Sequence, residues 1–302
     1  MCQLIEIHSV YYYNIISMNG RILHLLNAER NHHMYRISVV IPTFNRQDYI
    51  RKSIESVLKQ KGQKQKYEIT EILVIDDCSS DNTEDVVKSL DDSRILYHRL
   101  LRNSGAATAR NTGSDMAKGD WIAFQDSDDL WHEDKLEKQT EYIERHPNVS
   151  MVSHPIRAFL ADGSNLCTGI IDEGDPVKYL ADRNYFDTPT MLIQKSKFSE
   201  INGFSTKLTA LEDWEFALRF ADRYEIGMVP EPLIDSDMIT EGISADASKY
   251  YESRCRMIAD NRDILTSHKC FDNAIRSLFV HAQKNGVLDS VGKMMELYLK
   301  QI

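Results

Sequence analysis

The sequence predicts an α/β protein: a mostly parallel sheet flanked by helices, with a C-terminal helical extension. Three observations predict it. Short apolar strands alternate with segments of helical period from Arg36 onward. Two of those strands end in acidic clusters, and beyond about Ala245 the pattern turns wholly helical.

The elements follow in order. Arg36 to Ile41 is the first strand, and Ile50, Ile54, Val57 and Leu58 then recur at helical spacing. Ile72 to Ile75 is a second strand. Asp81 with Glu84 three residues on forms a capping-box-like start for a helix through Val86, Val87 and Leu90. Arg94 to His98 is a third strand, and Ser104 to Ala117 is a helix of small residues suited to close packing on a sheet. Trp121 to Phe124 is the fourth strand, Glu133 to His146 a helix stopped by Pro147, and Val149 to Ser153 the fifth strand. After residue 154 the pattern loosens into a turn at Asp162 to Asn165, a strand at Thr190 to Ile193, and a loop-to-helix run from Gly203 to Ala221. Tyr250, Met257, Ile264, Ile275, Leu278, Phe279, Val291, Met294 and Leu297 mark the terminal helices.

Three segments result: 1–33, 34–245 and 246–302. In the first, Val10 to Ile16 could form a strand and Arg21 to Leu26 a helical turn, without a sustained period. Met34 reads as a natural start and residues 1–33 as an upstream extension, a docking arm being the alternative.

Composition excludes several classes. A formal net charge of −10 argues against a nucleic-acid partner, since duplex binding rests on Lys and Arg neutralising phosphates. The five cysteines include no C-x-x-C pair, which suits reduced thiols. No run of about eighteen apolar residues spans a bilayer, and the N-terminus lacks the features of a secretory signal, so the expected location is cytoplasmic. Basic and acidic residues interleave in 246–302, which leaves peripheral contact with the inner face of a membrane as a weak expectation.

Chemistry concentrates in five places. Asp126-Ser127-Asp128-Asp129 follows the fourth strand directly. Carboxylates this close repel one another, and hard divalent cations that share oxygen ligands with phosphates relieve that repulsion. A solvated acidic turn is the bland alternative. A calcium loop is excluded because Leu130 and Trp131 stand where it needs a ligand and a glycine. Asp76-Asp77 ends the second strand, where a carboxylate can accept from a base or a ribose hydroxyl; a phosphoacceptor receiver would be far shorter than this chain. Pro42-Thr43-Phe44-Asn45-Arg46 is a turn offering backbone and amide groups. Asn103 opens the small-residue helix and Arg110 lies one to two turns inside it, where a guanidinium can clamp a diphosphate or simply pair with an acid. Glu212-Asp213 heads a late helix beside Trp214, Phe216 and Phe220, so a carboxylate there is partly desolvated, as a general base requires.

Taken in order, Val39 to Asn45, Ile75 to Ser79, Asn103 to Asn111, Phe124 to Trp131, Gly203-Phe204 and Glu212 to Trp214 closely resemble the family 2 glycosyltransferases, over about residues 36–245. The resemblance implies a GT-A fold and an inverting transfer from a nucleotide sugar, with a UDP-sugar the first choice, to a glycan or lipid-linked glycan. It implies that Pro42, Thr43, Asn45, Asp76, Asn103, Arg110 and Asp126 bind the nucleotide sugar. It further implies that Asp126 and Asp128 share a Mn²⁺ or Mg²⁺ ion with its diphosphate, and that Asp213, beside Glu212, is the base. Two departures stand out: Cys78 where glycine is common, and Ile239-Thr240 where Arg or His often precedes Ser244. The rival readings are a nucleotidyltransferase, whose Gly-rich first loop is missing after Ile41, and an inactive sugar-nucleotide-binding module.

Overall fold

The first strand is longer than its apolar run. In the computed structural model, which describes residues 34–159, 164–167, 174–237 and 247–300, β1 spans Tyr35–Thr43. Its alternation sorts side chains between two cores, Ile37, Val39 and Ile41 to one face of the sheet and Val40 to the other. The chain divides at Met34, and Tyr35–Ile302 is one compact unit. The expected strand at Val10 to Ile16, the turn at Arg21 to Leu26, Asp162-Gly163, Ile239-Thr240 and Ser244 all lie outside the described residues.

Helix α1 (Ile50–Leu58) follows, then β2 (Tyr67–Asp76), α2 (Thr83–Lys88), β3 (Ile95–Arg99), α3 (Ala106–Met116) and β4 (Trp121–Phe124). Next come β5 (Leu130–Trp131), α4 (Lys135–Arg145), β6 (Val149–Ser153), β7 (Arg157–Phe159), β8 (Asn165–Cys167) and α5 (Pro176–Leu180). After them stand β9 (Leu192–Gln194), α6 (Lys195–Glu200), α7 (Glu212–Ala221), β10 (Glu225–Met228) and β11 (Ile234–Asp237). The C-terminal helices are α8 (Ala247–Asp260), α9 (Arg262–Ser267), α10 (Phe271–Lys284) and α11 (Leu288–Leu299).

A seven-stranded sheet runs β10-β6-β9-β4-β1-β2-β3. It is parallel except at β9, which lies antiparallel between β4 and β6. The parallel strands β1, β2 and β4 therefore deliver their carboxyl ends to one edge, where an open α/β sheet presents its ligand crevice. The small residues of α3 act as expected: a Cβ at Gly113 would come within 2.5 Å of Val40 Cγ1, so only glycine lets this helix sit so close to β1. Helices α8–α11 bury Tyr251, Cys255, Ile258, Leu278, Val291 and Met295 in the same core as Trp214, Phe216 and Phe220 of α7.

Two expectations need correction. The strand drawn at Thr190 to Ile193 is instead a 3₁₀ turn at Thr188–Thr190 followed by β9, because Pro189 has no N–H to give a sheet and sits readily in a first turn. The capping box is only half made. Asp81 Oδ1 accepts from Thr83 N at 3.0 Å, whereas Glu84 pairs with Lys88 and Arg99 instead of turning back. A four-stranded sheet, β5-β11-β7-β8, was not visible in the sequence. It begins one residue after the aspartate cluster, and the Ser236 side chain on β11 hydrogen-bonds Asp129.

Candidate functional site

The turn after β1 interlocks with the turn after β2. Asn45, left-handed at φ 51°, donates its N–H to Ser79 Oγ (2.9 Å) and accepts on Oδ1 from Ser80 N (2.8 Å). Cys78 is also left-handed, at φ 69°, which gives the glycine preference of this position its physical reason. Asp76 is fully buried: Oδ1 accepts from Ser79 N (2.8 Å) and Ser79 Oγ (2.6 Å), and Oδ2 from the Tyr97 hydroxyl. Asp77 receives Ser104 N (2.7 Å) and Gly105 N (2.8 Å) and so ties the strand end to the start of α3. Pro42 and Thr43 are buried at the end of β1, and Thr43 Oγ1 has no hydrogen-bond partner. The Phe44 ring and Asn103 are exposed beside them.

Across the crevice stand the acids. Arg110, 6% exposed, reaches from α3 to donate Nη1 to Glu212 Oε1 and Nη2 to Asp126 Oδ1, each at 2.7 Å. Burial pulls its pKa down, yet the charges of Asp126 and Glu212 outweigh that and the net shift is upward. The guanidinium is thus a brace between the two acidic motifs, and its terminal nitrogens are committed to carboxylates. Asp128 lies 3.5 Å from Arg46 Nη2; burial and the charge of Asp126 raise its pKa. Burial and Asp126 also push Asp129 up to about 8.

Asp213 keeps a narrow contact with solvent at the head of α7. Burial, then the charges of Glu212 and Asp187, push it up to about 8. Its Oδ1 accepts from Trp214 N (2.7 Å) and its Oδ2 from Asn184 Nδ2 (3.1 Å). Leu211, just before this helix, is left-handed at φ 62°, a strained conformation for a branched residue that aims the helix start. Asn111 closes the adjacent turn, accepting from Phe204 N and donating to Phe204 O, and Gly203 supplies the φ of 59° the turn needs.

The structure thus gathers Thr43, Asn45, Asp76, Arg110, Asp126, Asp128, Glu212 and Asp213 along one sheet edge, with both Asp76 oxygens already accepting from protein donors. Sequence reasoning missed Asp187 and Asn184. Burial and the charge of Asp126 push Asp187 up to about 6, so it belongs to the same electrostatic group. Both sit in a loop without periodicity.

Among the described residues no three His, Cys, Asp or Glu side chains form a ready-made metal cage. Asp126 and Asp128 offer hard carboxylate oxygens only, and Asp128 is held above its ordinary pKa by burial and then by the charge of Asp126. That donor set fits a divalent cation whose remaining ligands come from phosphate and water.

Comparison with known proteins agrees with the geometry. The family model described as Glycosyl transferase family 2 matches residues 38–191. An Escherichia coli relative, UDP-Glc:alpha-D-GlcNAc-diphosphoundecaprenol beta-1,3-glucosyltransferase WfgD, is 45% identical over 39% of this chain and 44% of its own length. The chain spans about half the length of the curated relatives it matches. Staphylococcus aureus TarS, solved with UDP, superposes with a TM-score of 0.59 at 23% identity, over 74% of this chain and 64% of that one. A Pyrobaculum calidifontis mannosyltransferase, solved with GDP-Man and Mn²⁺, gives 0.62 at 17% identity over 87% and 74%. The last two show the fold.

Proposed function

The chain belongs to glycosyltransferase family 2, and from that premise we propose that it moves a sugar from a nucleotide-diphosphate sugar to an acceptor hydroxyl by one inverting displacement. The observation that carries this reading is the convergence of Asp126, Glu212 and Asp213 around one buried arginine at the strand ends. Asp213 is the base. A carboxylate whose proton affinity is raised by burial and like charge is suited to take a proton near neutral pH.

The proton passes from the acceptor hydroxyl to Asp213 as the acceptor oxygen bonds the anomeric carbon. The bond from that carbon to the diphosphate breaks on the opposite face, and the nucleoside diphosphate leaves. Glu212 is held by Arg110 and keeps α7 in register with the aspartate loop. The unpartnered Thr43 hydroxyl, the Asn45 turn and the exposed edge at Asn103 receive the nucleoside, with Pro42 and Asp76 shaping the pocket behind them. Asp126 and Asp128 would hold Mn²⁺ or Mg²⁺, whose charge, when present, grips the diphosphate and stabilises the negative charge it gains.

UDP-sugars are the first donors to test, since WfgD uses UDP-Glc and TarS was solved with UDP. WfgD acts on a diphosphoundecaprenol-linked sugar, which supports a lipid-linked glycan as acceptor here. No helix among the described residues is long and apolar enough to cross a membrane.

A thermal-shift panel of UDP-, GDP- and dTDP-sugars, with and without Mn²⁺, tests the reading. Stabilisation by one UDP-sugar that requires Mn²⁺ supports it, and no stabilisation by any member refutes it.

A further inference from the structure

The helices beyond α7 have no role in the chemistry so far, yet one of their side chains is built into it. Arg254 of α8 is 2% exposed, and its partners among the described residues are neutral. Nη1 donates to the Tyr250 hydroxyl (3.0 Å), and Nη2 donates to the carbonyl of Asp182 (2.9 Å) and to Ser277 Oγ (2.8 Å). Its Nε has no partner, and the guanidinium lies 4.9 Å from the centre of the Trp214 ring. A cation buried on such terms is costly, and an apolar side chain would fill the space more cheaply. What the arginine adds is connection: it joins the loop after α5, the head of α7 and helix α10. Ser277 of α10 grips the same loop, donating to Asp182 Oδ1 at 2.7 Å. Trp214 Nε1 holds the loop's start at Leu180 O, also at 2.7 Å.

That loop carries Asn184. Its Oδ1 accepts from Phe186 N at 3.0 Å, a local turn closed by the side chain, and Phe186 is buried. With its oxygen so engaged, the amide can only point its NH₂ at Asp213 Oδ2, 3.1 Å away. Trp214 N already fixes the other carboxylate oxygen. The two donors set the plane of the carboxylate and leave a lone pair of Oδ2 for the incoming proton.

We propose that Asn184 is the positioning residue of the Asp213 carboxylate, and that the C-terminal helices keep it in place through Arg254. The proposal rests on the reading of Asp213 as the base. Three charged groups face that carboxylate: Glu212 on its own helix, Asp187 from the loop, and Arg110 from α3. Asn184 is the neutral donor among them. Because it bonds the ionised form, its loss makes Asp213 harder to ionise and less well aimed.

The test uses the full chain and two readouts. Asp213 is titrated by ¹³C NMR of labelled aspartate, its resonance assigned by its absence from Asp213→Asn. Turnover is followed as UDP release from the UDP-sugar selected by the thermal-shift panel. In Asn184→Ala the midpoint should rise by about half a pH unit or more, so the acid limb of kcat moves to higher pH. Turnover should fall by about 10-fold with the donor KM within about twofold, since misaiming slows chemistry without loosening the donor. Arg254→Lys keeps the charge but loses the fork, and should reproduce both changes at smaller size. A folded Asn184→Ala with an unmoved midpoint overturns the proposal, as does a kcat loss matched by an equal rise in donor KM. If the alanine variant does not fold, Asn184→Ser and Arg254→Lys are read by the same criteria. An active Asp213→Asn would sink the base assignment instead, whatever the Asn184 variants do.

Discussion

The two banks of the crevice treat their carboxylates in opposite ways. On the β2 side, Asp76 and Asp77 spend every oxygen on protein donors: Ser79, Tyr97, Ser104 and Gly105. On the far side, Asp128, Asp129, Asp187 and Asp213 crowd one another, and burial with like charge raises the pKa of each. Arg110 is shared between Asp126 and Glu212, too little positive charge for so many acids. The first bank uses acids to hold shape. The second stores electrostatic repulsion that a bound cation and a transferred proton would relieve, which is the reason the proposed chemistry is assigned to it.

The sharpest break in that comparison is Asp213→Asn. It should cut turnover by about 10²- to 10⁴-fold, the usual contribution of a positioned base, while calorimetry still shows UDP binding. Turnover near that of the parent would move the base elsewhere. Next in size, Asp128→Ala should weaken Mn²⁺-dependent UDP binding by about 10-fold or more, since even groups that only support metal ligands are worth roughly that. The opposite bank should answer in stability. Asp77→Ala strands the N–H groups of Ser104 and Gly105 and should cost about 1–3 kcal/mol, read as a lower Tm.

Acidity sharpens the contrast further. The native pKa of Asp213 lies above its unfolded value, so the native state binds more protons, and stability is lost as pH rises from about 4 through about 8. Asp213→Asn removes that loss. Its Tm should match the parent near pH 4 and exceed it at pH 8.5 by about 1.5–2 °C for each kcal/mol relieved, given about 2.1 cal/mol/K of unfolding entropy per residue. The smallest effect is at Cys78, whose left-handed backbone Cys78→Gly would relax, raising stability by about 0.5–1 kcal/mol.

Much of the shape-holding bank was legible in the sequence because it follows short-range rules. Periodicity located β1, α1, β4 and β6, and the small residues of α3 announced its close approach to the sheet. Cys78 was visible only as a departure from a familiar pattern; its positive φ supplied the reason. The second sheet was not legible, since β5, β7, β8 and β11 are two to four residues long and exist through pairing with distant segments. Asp187 and Asn184 were missed for a related reason. Nothing in Arg183-Asn184-Tyr185-Phe186-Asp187 marks a site until tertiary packing lays that loop against the head of α7. Arg110 was placed correctly on its helix, but its bonds to Asp126 and Glu212 join residues far apart along the chain, which no local pattern announces.

The central claim is that the crowded bank takes up a nucleoside diphosphate only with the help of a divalent cation. Isothermal titration of UDP into the protein, once with Mn²⁺ and once with EDTA, tests it most directly. The account predicts binding with Mn²⁺ that EDTA abolishes and that Asp126→Asn with Asp128→Asn together remove. Equal UDP affinity in both buffers would contradict it.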